Sequence, residues 1–177
     1  MREPHVLLEP VRWSALLRLR VPMASAENVM RRLSLPPALR SATTDARLAL
    51  WIAPDQWLLA SELESARALT ERHAAVLHDV LHLLVDVSAA LHCVRLSGTQ
   101  GRALLAMGSG VDWSAASTPP GYSTRTRLAQ IPAIAHVTAS GSIDVFVDRS
   151  HRDYFERWCE RSASDPLLRE HPWPNTY

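Results

Sequence analysis

The segment that most constrains the fold covers residues 84–105 and reads LVDVSAALHCVRLSGTQGRALL. After an apolar run and a turn, residues 94–97 alternate between apolar and polar with the period of two that a half-buried strand requires. Ser97 and Gln100 then have the spacing of a helix capping box, and Gly108 falls where a left-handed helix C-cap is expected. The segment therefore predicts a strand, a turn, a second strand and a helix.

Apolar and helix-forming patterns predict further elements in the first half of the chain. The expected strands cover residues 11–21, 47–53, 57–60 and 81–87, the last of them as a buried strand. Ser25 is the expected N-cap of a helix over residues 24–33. Ser61 and Glu64 have capping-box spacing, which predicts a second helix that ends near His78.

The second half continues the alternation of strands and helices. The expected strands cover residues 125–130, 131–139 and 143–148. Ser150 and Asp153 are expected to cap a last helix. Residues 109–123 and residues 165–177 both contain prolines, which predicts an irregular segment and an extended C-terminus.

This order of elements predicts an α+β protein. Strands joined in hairpins favour antiparallel or mixed sheets, and the intervening helices favour a cover on one face of each sheet. The 177 residues suit a single domain over residues 1–177. We expect it to contain two small strand-and-helix subdomains, over residues 10–83 and 84–162, and an extended tail over residues 163–177.

The composition excludes several classes of function. The formal net charge is +1, which gives no one-signed field for nucleic acid or for an anionic membrane. All 19 basic residues are Arg, so neither a P-loop lysine nor a Schiff-base lysine is present. No apolar run reaches the about 20 residues of a membrane span, and the first residues do not resemble a signal peptide. We therefore expect a cytoplasmic protein whose cysteines, Cys93 and Cys159, are buried and reduced.

Three histidines and one cysteine are the candidates for metal binding or nucleophilic catalysis. His78 and His82 have the spacing by which one helix can grip zinc, but the helix is expected to end at His78. His92 and Cys93 are neighbours on a strand, so their side chains point to opposite faces and do not form a base–nucleophile pair. We expect no metal site among these residues, and Cys93 is expected to face a core.

Other patterns are interpreted as structural. Residues 98–101 and 108–110 fit neither the dinucleotide fingerprint nor the P-loop, so they are interpreted as a turn and a helix end. The stripe of Tyr154, Phe155 and Trp158 has helical spacing and is interpreted as core. Four arginines at alternate strand positions indicate a solvated or interface face rather than a nucleic-acid surface: Arg18, Arg20, Arg125 and Arg127.

Several segments resemble a known family. Those similar to the first domain of the glycine-cleavage aminomethyltransferase superfamily are residues 86–88 (DVS), 96–98 (LSG), 103–105 (ALL) and Asp112. Those similar to the gamma subunit of heterotetrameric sarcosine oxidase are residues 50–59 (LWIAPDQWLL), 126–129 (TRLA) and 143–150 (IDVFVDRS). The resemblance spans residues 10–162.

The resemblance implies a non-catalytic structural subunit of a complex that oxidatively demethylates a secondary N-methyl amine. It implies a large alpha-type flavoprotein as partner, with beta and delta subunits in the same complex. FAD, FMN and NAD, with tetrahydrofolate as a further candidate, are then expected on the other subunits and none on this chain. One alternative is a free-standing folate-binding one-carbon transfer protein of the same superfamily, and another is a folate-independent scaffold that inherited only the fold. Sarcosine, dimethylglycine, N-methylglutamate and a cyclic imino acid remain open as substrates.

One segment distinguishes this chain from the catalytic members of the superfamily that it resembles. Those members carry a glycine-rich hairpin that ends in an aspartate, which contacts the reacting amine. The corresponding residues 131–140 read IPAIAHVTAS, contain no carboxylate and have His136 as their only titratable group. We therefore expect the resemblance to carry the fold but not catalysis. No catalytic, cofactor-binding or metal-binding residue is assigned.

Structural and interface roles are expected elsewhere. Asp86 and Ser88 suit a junction in which short polar side chains bond to nearby backbone groups. Partner contact is expected from residues 109–123 and 165–177, because large aromatic side chains on irregular segments often anchor interfaces. These aromatic residues are Trp113, Tyr122, Trp173 and Tyr177. The competing interpretation is that they fold back on the core of this chain.

Overall fold

The computed structural model describes residues 5–44 and 46–165, which form ten β-strands and four α-helices. The strands are β1 (Leu7–Val11), β2 (Ala15–Arg20), β3 (Ser41–Thr44), β4 (Arg47–Ala53), β5 (Gln56–Ser61), β6 (Leu83–Asp86), β7 (Leu91–Ser97), β8 (Ser123–Leu128), β9 (Ile131–Val137) and β10 (Ile143–Asp148). The helices are α1 (Ala26–Leu33), α2 (Ala66–Val76), α3 (Gly101–Gly108) and α4 (Arg152–Ala163).

The strands form two five-stranded sheets, in the orders β3-β4-β5-β2-β6 and β1-β7-β10-β9-β8. The pairings whose register is described are all antiparallel. The α+β fold class expected from the sequence is therefore confirmed.

The chain divides into two compact units, Arg12–Leu91 and Met1–Val11 with His92–Tyr177. β6 lies in the first unit because it pairs with β2, whereas the sequence placed the subdomain boundary before residue 84. The single-domain assignment and its subdomain ranges stay predictions. Residues 166–177 of the expected tail lie outside the described residues.

The first unit has its core between one face of its sheet and the two helices α1 and α2. β2 alternates because Leu17 and Leu19 enter this core while Arg20 stays exposed, as the period of two requires. Trp57 of β5 is fully buried there, and its indole Nε1 donates to the backbone oxygen of Pro36 at 3.0 Å. The hairpin of β4 and β5 is also as expected from the sequence.

The helix starts of the first unit differ from those expected. Ser65, and not Ser61, caps α2 by accepting a hydrogen bond from the amide of Ala68 at 3.3 Å. The hydroxyl of Ser61 instead accepts from the amides of the two residues before Ser65, in a turn that precedes the helix. Ser25 is at the N-cap position of α1 but makes no capping bond with its side chain. Ser25 therefore lies at the predicted N-cap position without a side-chain bond, and the prediction that Ser61 caps α2 was wrong.

The expected buried strand at residues 81–87 is an exposed edge strand. β6 stands at the end of its sheet, and the side chains of Leu81, Leu83 and Val85 are 80%, 57% and 40% exposed. Leu84, on the opposite face, is partly buried against the core. The prediction was wrong because an apolar run looks the same at the centre and at the edge of a sheet.

The second unit packs α3 and α4 against one face of its sheet. Its core includes Val94, Leu96, Leu104, Trp113, Val145 and Phe155. β1, for which the sequence predicts no strand, pairs with β7, with Leu7 opposite Ser97. Trp113 is fully buried in this core, so the expectation that it contacts a partner was wrong and the competing interpretation holds for it.

Three predictions of how helices of the second unit begin or end also differ from the structure. α3 has Gln100 at its N-cap position without a side-chain bond, and Ser109 at its C-cap is extended, so Gly108 is no left-handed cap. Ser150 was expected to cap the last helix with its side chain. Instead, its backbone amide donates to the carboxylate of Asp148 at 2.9 Å, in the turn before α4. Gly108 has a different function, because a Cβ there would lie 2.6 Å from the Trp158 ring.

Candidate functional site

Residues 131–140, which contain no carboxylate, form β9 and the turn after it. Neighbours on a strand point to opposite faces, and Ala135 and Val137 enter the helix-covered core, so His136 points to the other face of the sheet. On the next strand, Asp144 is the register partner of His136 and is likewise flanked by core residues. The hairpin segment itself carries no acid, but the neighbouring strand places one beside it.

Asp144 is held by Arg95 of β7. The guanidinium donates from Nε to Oδ1 at 2.6 Å and from a terminal nitrogen to Oδ2 at 2.8 Å, which is a bidentate arrangement. The carboxylate of Asp144 is 1% exposed and the Arg95 side chain is 38% exposed. The charge of this buried acid is therefore compensated within the sheet.

The electrostatics of the cluster agree with a structural pair beside a neutral histidine. Hydrogen bonds to Asp144 raise the pKa of Arg95 against the opposing effect of burial. Burial lowers the pKa of His136, with Asp144 opposing and Arg95 reinforcing the shift. His136 Nδ1 has no hydrogen-bond partner among the described residues.

What this cluster can do chemically follows from these bonds. A carboxylate that orients a reacting amine must be accessible to the substrate, whereas the Asp144 side chain is 1% exposed and its charge is compensated by Arg95. The sequence contained one signal for this pair: Asp144 is the polar residue between the apolar positions Ile143 and Val145. Its partner could not be read from the sequence, because Arg95 is 49 residues away.

The histidines and cysteines weighed for metal binding or catalysis are not brought together. The Nδ1 atoms of His78 and His82 lie 3.1 Å and 2.8 Å from backbone oxygens of their own segments. His92 Nε2 lies 2.9 Å from a carboxylate oxygen of Glu156, and Cys93 is buried. Over residues 5–44 and 46–165, no group of three or more His, Cys, Asp or Glu residues could hold a metal ion.

The remaining sequence candidates have structural partners. Burial raises the pKa of the Cys159 thiol to about 12, which makes it unreactive at neutral pH. Phe155 is fully buried and stacks with Trp158 at a centroid separation of 6.2 Å, as expected for core. Tyr154 is exposed and donates its hydroxyl to the backbone oxygen of Ala129 at 2.9 Å.

Three of the four arginines at alternate strand positions are exposed. Arg20 donates to the Asp55 carboxylate at 2.9 Å, and Arg127 donates to the backbone oxygen of Gln130 at 2.8 Å. Arg125 is also exposed, and Arg18 is half-buried.

The junction after β6 has the bonds expected of Asp86 and Ser88. Asp86 Oδ1 accepts from the amide of Ser88 at 2.9 Å and from its hydroxyl at 2.6 Å. Ser88 Oγ accepts in turn from the amide of Leu16 at 2.9 Å, which ties the junction to β2. These hydrogen bonds of Ser88 lower the pKa of Asp86. Asp86 is exposed, so these bonds lie at the surface.

The second unit also contains an open cleft of about 450 Å³ at the end of α3. Met107, Tyr154 and Trp158 contribute its apolar surface, and Arg127 contributes a positive charge. Two of its lining residues, Ala129 and Gln130, have backbone φ angles of 51° and 70°, which side chains seldom adopt.

Comparisons with known proteins give a family and two similar solved structures. The model of the sarcosine oxidase, gamma subunit family matches residues 21–165. A chain of the heterotetrameric sarcosine oxidase from Corynebacterium sp. U-96, in complex with pyrrole 2-carboxylate, is similar with a TM-score of 0.80 and 24% identity, covering 93% of this chain and 86% of that chain. None of the curated proteins compared with the chain matches it.

The second structure is the glycine cleavage system aminomethyltransferase T from Bartonella henselae. It is similar with a TM-score of 0.64 and 11% identity, covering 88% of this chain and 45% of that chain. At these identities both structures support the fold, which agrees with the aminomethyltransferase-like fold expected from the sequence. None of the helices among the described residues is long and apolar enough to cross a membrane.

Proposed function

This chain belongs to the sarcosine oxidase, gamma subunit family, and from that premise we propose that it is the non-catalytic structural subunit of a heterotetrameric complex. The complex oxidatively demethylates a secondary N-methyl amine. The partners in this proposal are a large alpha-type flavoprotein subunit and the beta and delta subunits. The observation that carries the proposal is the family match over residues 21–165.

The arrangement of the hairpin region supports a role without catalysis. Residues 131–140 contain no carboxylate. The acid that lies nearest in register, Asp144, has both oxygens bonded to Arg95. A site for a reacting amine would need a carboxylate that the substrate can reach, and Asp144 is buried, so the cluster fits a stabilising role in the sheet better than a catalytic one.

The glycine-containing start of α3 supports placing FAD, FMN and NAD on other subunits. A phosphate site at a helix N-terminus needs backbone amides that point at the ligand. At the start of α3 the amide of Gln100 already donates to the backbone oxygen of His5 at 2.7 Å, and the amide of Gly101 donates to that of Gly98 at 3.3 Å. We therefore place these cofactors, and tetrahydrofolate where it is used, on the other subunits.

Replacing His136 in the assembled complex tests the non-catalytic role. His136 is the titratable group of the hairpin segment, and His136→Asn removes its acid–base chemistry while keeping a polar side chain of similar size. We expect turnover of an N-methyl amine per bound flavin to stay within about twofold of wild type, because general acid–base groups contribute about a hundredfold or more. A drop of that size in a complex with unchanged subunit content would overturn the proposal.

A further inference from the structure

A cleft of about 260 Å³ lies within the unit Arg12–Leu91. It is bounded by the end of α1, by β3, β4 and β5, and by α2. Three buried leucines, Leu35, Leu59 and Leu69, contribute apolar surface to its lining. The polar side chains that line it include Arg47, Arg72 and His73.

The two arginines share one carboxylate. Glu64 Oε2 accepts from Arg47 Nε and from a terminal nitrogen of Arg72, both at 2.7 Å. The hydrogen bond from Arg47 lowers the pKa of Glu64 against the opposing effect of burial, and the charge of Arg72 adds to the lowering. Over residues 5–44 and 46–165, the two guanidinium groups and the one carboxylate of this cluster leave one positive charge in excess. Each guanidinium has five N–H donors, so most of these donors remain for a ligand.

One polar atom at the cleft lacks a described partner. Arg72 Nε is a buried donor without a hydrogen-bond partner over residues 5–44 and 46–165. Buried polar groups are normally satisfied, so this donor points to a missing ligand.

We propose that this cleft binds a small monocarboxylate with a short apolar body. The excess positive charge and the fork of guanidinium donors suit a carboxylate, which arginine binds with two parallel hydrogen bonds. The leucine surface suits an aliphatic group, and the volume lies near the lower end of ligand pockets. The site is separate from the region of Asp144 and involves no chemistry at the ligand.

The test is calorimetric titration of the full chain with 4-methylvalerate, with the neutral amide 4-methylvaleramide as the second probe. We expect saturable binding of the carboxylate and at least about tenfold weaker binding of the amide, because a charge-assisted hydrogen bond contributes more than a neutral one. Equal binding of the two probes, or no saturable heat from the carboxylate, would overturn the proposal. Either result leaves the assignment to the gamma subunit family unchanged.

Matched variants locate the binding. Arg72→Gln should weaken binding of 4-methylvalerate by about tenfold or more. Arg67→Gln, on the same helix, should leave it unchanged, because Arg67 is exposed, pairs with Glu71 at 2.8 Å and does not line the cleft. If both variants weaken binding equally, the attraction is a general effect of charge, and the assignment of the binding site to this cleft is wrong.

A variant that fills the cleft tests the binding of the aliphatic group without changing a charge. Ala49 lines the cleft and is half-buried, so Ala49→Leu should occupy the space of the aliphatic group and abolish binding. The melting temperature of each variant checks that it is folded. Wild-type affinity in folded Ala49→Leu would contradict the proposal even if Arg72→Gln failed to fold.

Discussion

At the scale of single residues, close contacts and buried titratable groups determine what this chain tolerates. Gly108 ends α3 against the Trp158 ring, while His73 and His136 are buried with few polar partners. The sequence identified Gly108 as a helix end but assigned it the wrong role, because the constraint comes from a residue 50 positions later in α4. Local spacing carries no information on such a contact.

Gly108→Ala should destabilise the chain. The added Cβ would lie 2.6 Å from Cζ2 of Trp158 and 3.0 Å from the backbone nitrogen of Ala129, so the ring or the backbone must move. We expect the free energy of unfolding to fall by about 1–3 kcal/mol, as for other overpacked sites. Urea unfolding of the full chain measures it. Gly110→Ala is the control, because a Cβ there meets nothing within 4 Å; equal losses in both variants would refute the packing explanation.

The stability of the chain should fall in mildly acidic solution. Burial lowers the pKa of both His73 and His136 in the folded state, whereas the unfolded chain binds a proton near the ordinary histidine pKa of about 6.5. Below this pH the unfolded state therefore binds more protons than the folded state. The free energy of unfolding should keep its highest value above about pH 7 and decrease as the pH falls through about 6.

Urea unfolding between pH 7.5 and pH 5.5 measures this decrease. His73→Gln and His136→Gln should each make the dependence on pH shallower, because each removes one group that the folded state disfavours as a cation. His78→Gln is the control, since His78 is exposed beyond the end of α2. A wild-type stability that does not change over this range would contradict the explanation.

At the scale of secondary-structure elements, the sequence predicted what depends on local pattern. The hairpin of β4 and β5 and the strands β8, β9 and β10 were confirmed, because their alternation and turn residues lie within the element itself. The predicted burial of β6 was wrong, and the sequence did not predict β1 and β3. All three are edge strands, and an edge strand is defined by the partner with which it pairs. The start of α2 was misplaced for a similar reason: Ser61 and Ser65 both have side chains that can cap, and only the folded chain selects Ser65.

Asp86→Ala should weaken the connection between β6 and β2. It removes the acceptor for the amide and the hydroxyl of Ser88, which in turn bonds to Leu16. Because Asp86 is exposed, we expect a loss of about 0.5–1.5 kcal/mol in the free energy of unfolding, the range of ordinary hydrogen bonds. Thermal unfolding of the free chain measures it.

Asp86→Asn is the matched control, since it keeps an acceptor oxygen in the same position and should lose less. In the assembled complex, Asp86→Ala should leave turnover per bound flavin unchanged. A large loss of turnover together with unchanged stability would mean that Asp86 has a catalytic role.

At the scale of the whole molecule, the sequence predicted the α+β fold and the family, and part of the candidate site. The lack of an acid in residues 131–140 was visible in the sequence. The pairing of Arg95 with Asp144 was not, because it depends on which strands become neighbours in the sheet. The expected interface role of Trp113 was wrong because this side chain packs into the core of its own unit, an outcome that composition does not distinguish from partner contact.

Co-expression of this chain with a large flavoprotein chain of the same organism tests the central claim most directly. Size-exclusion chromatography, with flavin absorbance recorded across the elution, would follow both chains. We expect the two chains to elute together, the flavin to stay with the large chain when they are separated, and this chain alone to carry neither flavin nor bound tetrahydrofolate. A chain that elutes alone in the presence of the flavoprotein, or that retains flavin or reduced folate by itself, would contradict its role as a non-catalytic subunit.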